Sequence, residues 1–283
     1  MNIIDTHQHL IDPTLSAYSW AEGLPPLAGR SFLYEDYLRE IKGTGITGTV
    51  FMETSPDDWK VEHGRVLELA DRPGSLIRGI VANARPEEEG FDRWIESIQG
   101  SRLSGIRRIC HVEPDEFSSQ PLFVRNIRKL GPLGLTFDLC FQARQLPHAL
   151  ALVRACPGVQ FILDHCGVPD IQGEGIDPWR PRISELAAEP NVACKISGIV
   201  AYCPPGADLT ATVRPYVLHA IESFGWDRVV WGGDWPVCTL GSSLSRWVEI
   251  SRELVADCAP AEQARFFHGN AERIYRLTDE TAG

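Results

Sequence analysis

The 283-residue chain has no run of lysine and arginine, no apolar stretch approaching a bilayer span and no closely spaced pair of cysteines. Each absence removes a class of function. Affinity for a nucleic-acid backbone rests on clustered cations that replace counterions, and here 27 Lys and Arg stand against 38 Asp and Glu for a net charge of -11. Nucleic acid is not an expected partner. A spanning helix needs about 20 consecutive apolar residues, so no membrane partner is expected either. The opening Met1-Asn-Ile-Ile-Asp-Thr-His7 lacks the basic-then-apolar order of a secretion signal, which points to a cytoplasmic protein. The cysteines, at 110, 140, 156, 166, 194, 203, 238 and 258, are scattered with no CxxC and read as reduced, mostly buried thiols. No GxGxxG follows the first apolar run, which argues against a dinucleotide fold. With no repeat, low-complexity tract or linker, a single domain over 1–283 is expected.

What is present is a regular alternation. Eight short apolar runs read as strands buried on both faces: Asn2 to Thr6, Gly48 to Glu53, Leu76 to Val81, Gly105 to Cys110, Leu135 to Leu139, Val159 to Leu163, Val192 to Ser197 and Arg228 to Gly232. Between them, apolar residues three and four apart mark helices, as in Phe91, Trp94, Ile95, Ile98 and in Val217, Ile221, Phe224. Gly131, Gly158 and Gly225 stand where left-handed helix stops are expected. Eight such units in under 300 residues favour an α/β fold of the closed (β/α)8 TIM-barrel type. Three long connections, Leu10 to Phe32, Gly167 to Arg180 and Gly198 to Thr210, each follow a strand and should roof the site at the strands' carboxyl ends.

Those strand ends carry the candidate chemistry. His7 and His9 close the first strand two residues apart, so both point to one side and can look into the barrel mouth. The pair suits a divalent metal, or equally a local hydrogen-bonded turn. The sixth run ends Phe161-Ile-Leu-Asp-His165 and the eighth ends Val230-Trp-Gly-Gly-Asp234-Trp235-Pro236. His7, His9, His165 and Asp234 are thus three nitrogen donors and one oxygen donor from three strand ends. Other polar residues at strand ends, candidates for substrate contact, are Glu53, Arg107, His111, Glu113 and Lys195, with Trp20 and Trp235 as walls. Arg107 within an apolar strand reads either as a substrate contact or as one half of an architectural ion pair with Glu53, and Lys195 poses the same choice. His63, His148, His219 and His268 fall in helix patterns and are left out.

At these residues the sequence resembles the amidohydrolase superfamily, of the amidohydrolase-2 type, whose barrels carry His-x-His on the first strand and Asp at the end of the eighth. Tyr18-Ser-Trp20, Gly105-Ile-Arg-Arg-Ile-Cys-His-Val-Glu-Pro-Asp115, Leu163-Asp-His-Cys-Gly167, Cys194-Lys-Ile-Ser-Gly198 and Gly232-Gly-Asp-Trp-Pro-Val-Cys238 look like its sugar-lactonase branch. That branch includes L-fuconolactonase and L-rhamnonolactonase, with 2-pyrone-4,6-dicarboxylate lactonase more distant. The resemblance implies an amidohydrolase-like barrel and a carboxylic-ester hydrolase.

The chain also departs from the pattern. Two-metal amidohydrolases use a bridging group on the fourth strand and a His on the fifth, and neither is evident here, so a two-metal centre is not expected. The resemblance leaves two modes open: one divalent metal, zinc by choice, on His7, His9, His165 and Asp234, or metal-free polarisation of the carbonyl by the same histidines. In either mode Asp234 is the expected base, taking the water proton and returning it to the ring oxygen of a sugar (aldono-) lactone. The alternatives are a 2-pyrone-4,6-dicarboxylate-type lactonase, a zinc-dependent nonoxidative decarboxylase, or a non-catalytic metal- or sugar-binding barrel. Ring size and sugar stereochemistry rest on the roof loops. A homodimer stays open, since interface apolar residues are not separable from core residues in sequence.

Overall fold

The computed structural model describes residues 2–100 and 102–277, so the expected domain of 1–283 runs at its ends past the described residues. Eight parallel strands lie in chain order, β1 (Ile3–Gln8), β2 (Ile46–Met52), β3 (Ile77–Asn83), β4 (Leu103–Ile109), β5 (Thr136–Cys140), β6 (Gln160–Leu163), β7 (Val192–Ile196) and β8 (Val229–Trp231). The sheet curls on itself as a TIM barrel. A bridge between Gln8 and Trp235 joins its edges, reinforced by Asp234 N donating to the His7 carbonyl at 2.7 Å and His9 N to the Trp235 carbonyl at 2.9 Å. Asp5 ties the same seam, its Oδ1 accepting from His7 N and Gly233 N at 3.0 and 2.6 Å and its Oδ2 from Tyr37 at 2.8 Å.

All eight expected strands form, with ends shifted by two residues at most. Their side chains are buried on both faces because helices cover the outside while the barrel fills its own interior. The lower interior is an apolar plug of Ile4, Val50, Met52, Val81, Ile162, Ala193 and Val230, closed from below by Ala271, Ile274 and Tyr275 after the last strand. Above the plug the interior turns ionic, with Arg107, Asp138, Asp164 and Lys195 each at most 3% exposed. The helices include Tyr34–Glu40, Phe91–Ile98, Leu146–Ala155 and Leu209–Phe224, together with Val61–Ala70 and Leu244–Leu254, whose patterns sequence reading passed over.

Two of the expected left-handed stops are corrected. Gly225 has φ 71° at a helix end, but Gly131 and Gly158 keep negative φ and the left-handed residue is Gly134 at 70°. Gly131 is small for another reason: a Cβ there would lie 2.5 Å from the Gly158 carbonyl oxygen, so two backbones meet. All eight cysteines are free and seven are buried. Among the described residues, no helix is long and apolar enough to cross a membrane.

Candidate active site

The upper end of the barrel gathers His7 and His9 from β1, His165 from just past β6 and Asp234 from just past β8, all 6% exposed or less. His9 Nδ1 faces the Met52 carbonyl at 2.9 Å; a carbonyl only accepts, so Nδ1 carries the proton and Nε2 keeps its lone pair. That Nε2 lies 3.0 Å from His7 Nε2 and 3.3 Å from Asp234 Oδ1, and His7 Nε2 lies 3.6 Å from the same oxygen. His165 Nδ1 meets Ser197 Oγ at 3.0 Å and stands 3.9 Å from Asp234 Oδ2.

Close backbone approach makes this convergence fit. His165 and Asp234 both adopt left-handed φ, 53° and 56°, a conformation that costs a non-glycine residue about 1–3 kcal/mol and is tolerated where surroundings hold it. Gly198, φ 63°, lies against both, and a Cβ on it would sit 2.5 Å from Asp234 Oδ2 and 2.5 Å from His165 Nδ1.

Burial dominates the electrostatics. It drives His7 well below the usual imidazole range, with Lys195 adding to the effect, brings His9 down to about 3 with help from Arg107, and lowers His165. Burial pushes the Asp234 carboxyl up to about 6, against the pull of His165 and Arg107. The imidazoles are therefore neutral at pH 7 and offer lone pairs.

These donors fit a divalent cation. His7, His9 and Asp234 each present a ligand atom within 4.8 Å of the others. Ligands about 2.0–2.1 Å from a tetrahedral zinc lie about 3.4 Å from one another, which matches the 3.0, 3.3 and 3.6 Å edges of this triangle. Among the described residues neither Asp234 oxygen has a hydrogen-bond donor, though both are buried, and His9 already has the outward carbonyl contact that orients metal-binding histidines.

The other candidate residues separate by position. Arg107 is locked beside His7: Nε donates to Glu53 Oε1 at 2.7 Å, Nη2 to the Glu53 carbonyl at 2.6 Å, and Nη1 reaches His7 Nε2 at 3.1 Å and Asp164 Oδ2 at 3.3 Å. Lys195 is fully buried between Asp138 at 2.5 Å and Asp164 at 2.9 Å. His111 is half-buried, facing Cys140 Sγ at 3.1 Å, and burial brings it down to about 4. Glu113 pairs with Arg108 at 2.7 Å. Trp235 is buried against Phe32 and Tyr37. Trp20 is 36% exposed on its roof loop, anchored by its indole N–H to the Thr54 carbonyl at 2.8 Å, whereas Tyr18 packs down beneath it.

Sequence reading passed over Asp5, Asp138, Asp164 and Ser197. A signal was there for one of them, Asp138: a charged residue inside the apolar runs of β5 and β7 demands a buried partner, and Asp138 and Lys195 are each other's. Beside the cluster opens a cavity of ≈ 390 Å³ lined by residues that include Gln142, Arg144, Ile171, Gln172 and Tyr202. Tyr202 stands edge-on to His165 with ring centroids 6.4 Å apart.

Comparison with known proteins agrees with this architecture. The amidohydrolase family pattern matches residues 4–277. An L-fucono-1,5-lactonase of Burkholderia ambifaria is 29% identical over 97% of this chain and 95% of its own length. An L-rhamnono-gamma-lactonase of Scheffersomyces stipitis is 24% identical over 97% of this chain and 98% of its own. The crystal structure of an amidohydrolase from Burkholderia multivorans with bound zinc superposes with a TM-score of 0.89 at 25% identity, covering 98% of this chain and all of that one.

Proposed function

The chain belongs to the amidohydrolase family and is a carboxylic-ester hydrolase, and from that premise we propose that it opens a sugar (aldono-) lactone to the aldonic acid. The observation that carries this reading is the Asp234 carboxylate, buried with both oxygens free of donors and set against His7, His9 and His165. A carboxylate left unsatisfied in that position is free to take a proton from water.

In this reading Asp234 removes the proton as the water oxygen bonds to the lactone carbonyl carbon; in the metal-free mode His165, held by Ser197, donates toward the developing oxyanion. The bond from carbon to ring oxygen then breaks, and Asp234 returns the proton to that oxygen. One divalent cation, zinc in this reading, would be held by His7, His9, His165 and Asp234 and would supply positive charge for the carbonyl oxygen. The Burkholderia relatives support both the lactone and the zinc, as does the match of the donor triangle to tetrahedral edges.

The cavity by Tyr202 suits a polyol. Gln142 and Gln172 offer amide donors and acceptors, and Arg144 has its charge answered by Asp115. Trp20 and His111 complete the mouth in this reading, and the whole chain 1–283 serves as one domain around the site. The direct test is proton release at constant pH against L-fucono-, L-rhamnono-, L-galactono- and D-galactono-lactones, with 2-pyrone-4,6-dicarboxylate included. Saturable acid release from one sugar series is expected. Silence from folded, zinc-supplied protein would refute it, and carbon dioxide release from an aromatic acid would replace it with decarboxylation.

A further inference from the structure

Arg107 poses a problem for any cation bound beside it. A guanidinium only donates, and its Nη1 is directed at His7 Nε2 from 3.1 Å, so that lone pair is already engaged. The same nitrogen is one corner of the His7, His9 and Asp234 triangle. A cation and the Nη1 hydrogen cannot share it. Nor can Arg107 swing aside without loss, because Glu53 grips it twice, through Oε1 at 2.7 Å and its backbone carbonyl at 2.6 Å. Glu53 is itself fixed by Asn83 Nδ2 at 2.6 Å and Ser55 N at 2.9 Å.

We propose that Arg107 acts as an internal competitor for the metal position, holding its guanidinium on the His7 nitrogen that a divalent cation needs and so setting the affinity of the site for zinc. This rests on the reading that the site takes a divalent cation. The bound and free states differ by one exchange: the Nη1 to His7 contact opens when the cation takes the His7 lone pair, and Nη1 turns to Asp164 Oδ2, already 3.3 Å away. Arg107 and Glu53 cancel in charge, so the competition lies in the occupied lone pair rather than in net repulsion. The site therefore exchanges its cation readily.

The test is zinc affinity, measured by competition with a chromophoric chelator, for wild type and for the double variant Arg107→Met, Glu53→Gln. That variant removes both charges together, keeps net charge constant and leaves Asp164, which loses Arg107, its second cation Lys195 at 2.9 Å. Zinc binding tighter by at least about tenfold is expected, since the His7 nitrogen no longer has to be vacated. A folded double variant whose affinity is equal or weaker overturns the proposal. If the variant does not fold, wild type decides through the structure of crystals soaked in zinc. Zinc on His7 Nε2 with Nη1 moved beyond hydrogen-bond reach supports the competition. Zinc there with the 3.1 Å contact retained overturns it. Failure of both proteins to bind zinc at all refutes the cation reading itself, which separates the two failures.

Discussion

Replacing Asp234 by Asn separates catalysis from architecture unusually cleanly. The side chain is 1% exposed, and neither oxygen receives a hydrogen bond, so the fold draws no stabilising contact from the negative charge. Burying an unpaired carboxylate costs free energy, and Asn keeps the shape while removing that cost. Thermal and urea midpoints of metal-free protein are therefore expected to stay level or rise. Activity behaves in the opposite way. A positioned general base contributes about 10²- to 10⁴-fold, and the amide cannot accept the water proton, so kcat/KM on the best lactone should fall at least about 100-fold, or about 2.7 kcal/mol of transition-state stabilisation. Initial rates of acid release at constant pH, with far-UV circular dichroism and urea melts on the same preparation, read both quantities. A folded variant that keeps more than about a tenth of wild-type kcat/KM removes Asp234 from the role of base.

Three further outcomes follow from the same geometry. Gly198→Ala should lower kcat/KM at least about tenfold and cost about 1–3 kcal/mol in a urea melt, because the new Cβ collides with Asp234 and His165 at 2.5 Å; unchanged kinetics would refute the tight approach. Lys195→Met leaves Asp138 and Asp164 buried without their shared cation and should destabilise by about 3–5 kcal/mol; a loss under about 1 kcal/mol by urea titration would show that the pair carries little. Prolonged dialysis against a chelator should reduce lactone hydrolysis at least about tenfold, with recovery on adding zinc. Full activity at a metal content below about a hundredth of an equivalent, by elemental analysis, would assign carbonyl polarisation to the histidines alone.

Much of the site's outline was visible along the chain because the barrel places function by a simple local rule. An ionisable residue just past a buried apolar run lies at the mouth, so His7, His9, His165 and Asp234 announced themselves by position. The roof loop was half legible: Trp20 was a candidate wall, and only packing decided that it stays 36% exposed while Tyr18 turns inward. Arg107 and Lys195 show where one-dimensional reading stops. Each sits in an apolar strand and needs a partner, but nothing local says whether that partner is substrate or protein. Glu53 lies 54 residues from Arg107 and Asp138 lies 57 from Lys195, so only strand packing brings them to 2.7 and 2.5 Å.

By itself, then, the order of residues determined the eight strands, the barrel they make and the strand ends where the candidate residues converge, since hydrophobic periodicity and chain order are local properties. The tertiary structure alone decided the rest. It turned His9 by the Met52 carbonyl, put Gly198 against Asp234 and His165, and filled the barrel's middle with Arg107, Asp164 and Lys195. Those relations depend on distances between side chains on different strands, and such distances come into being only when the sheet closes.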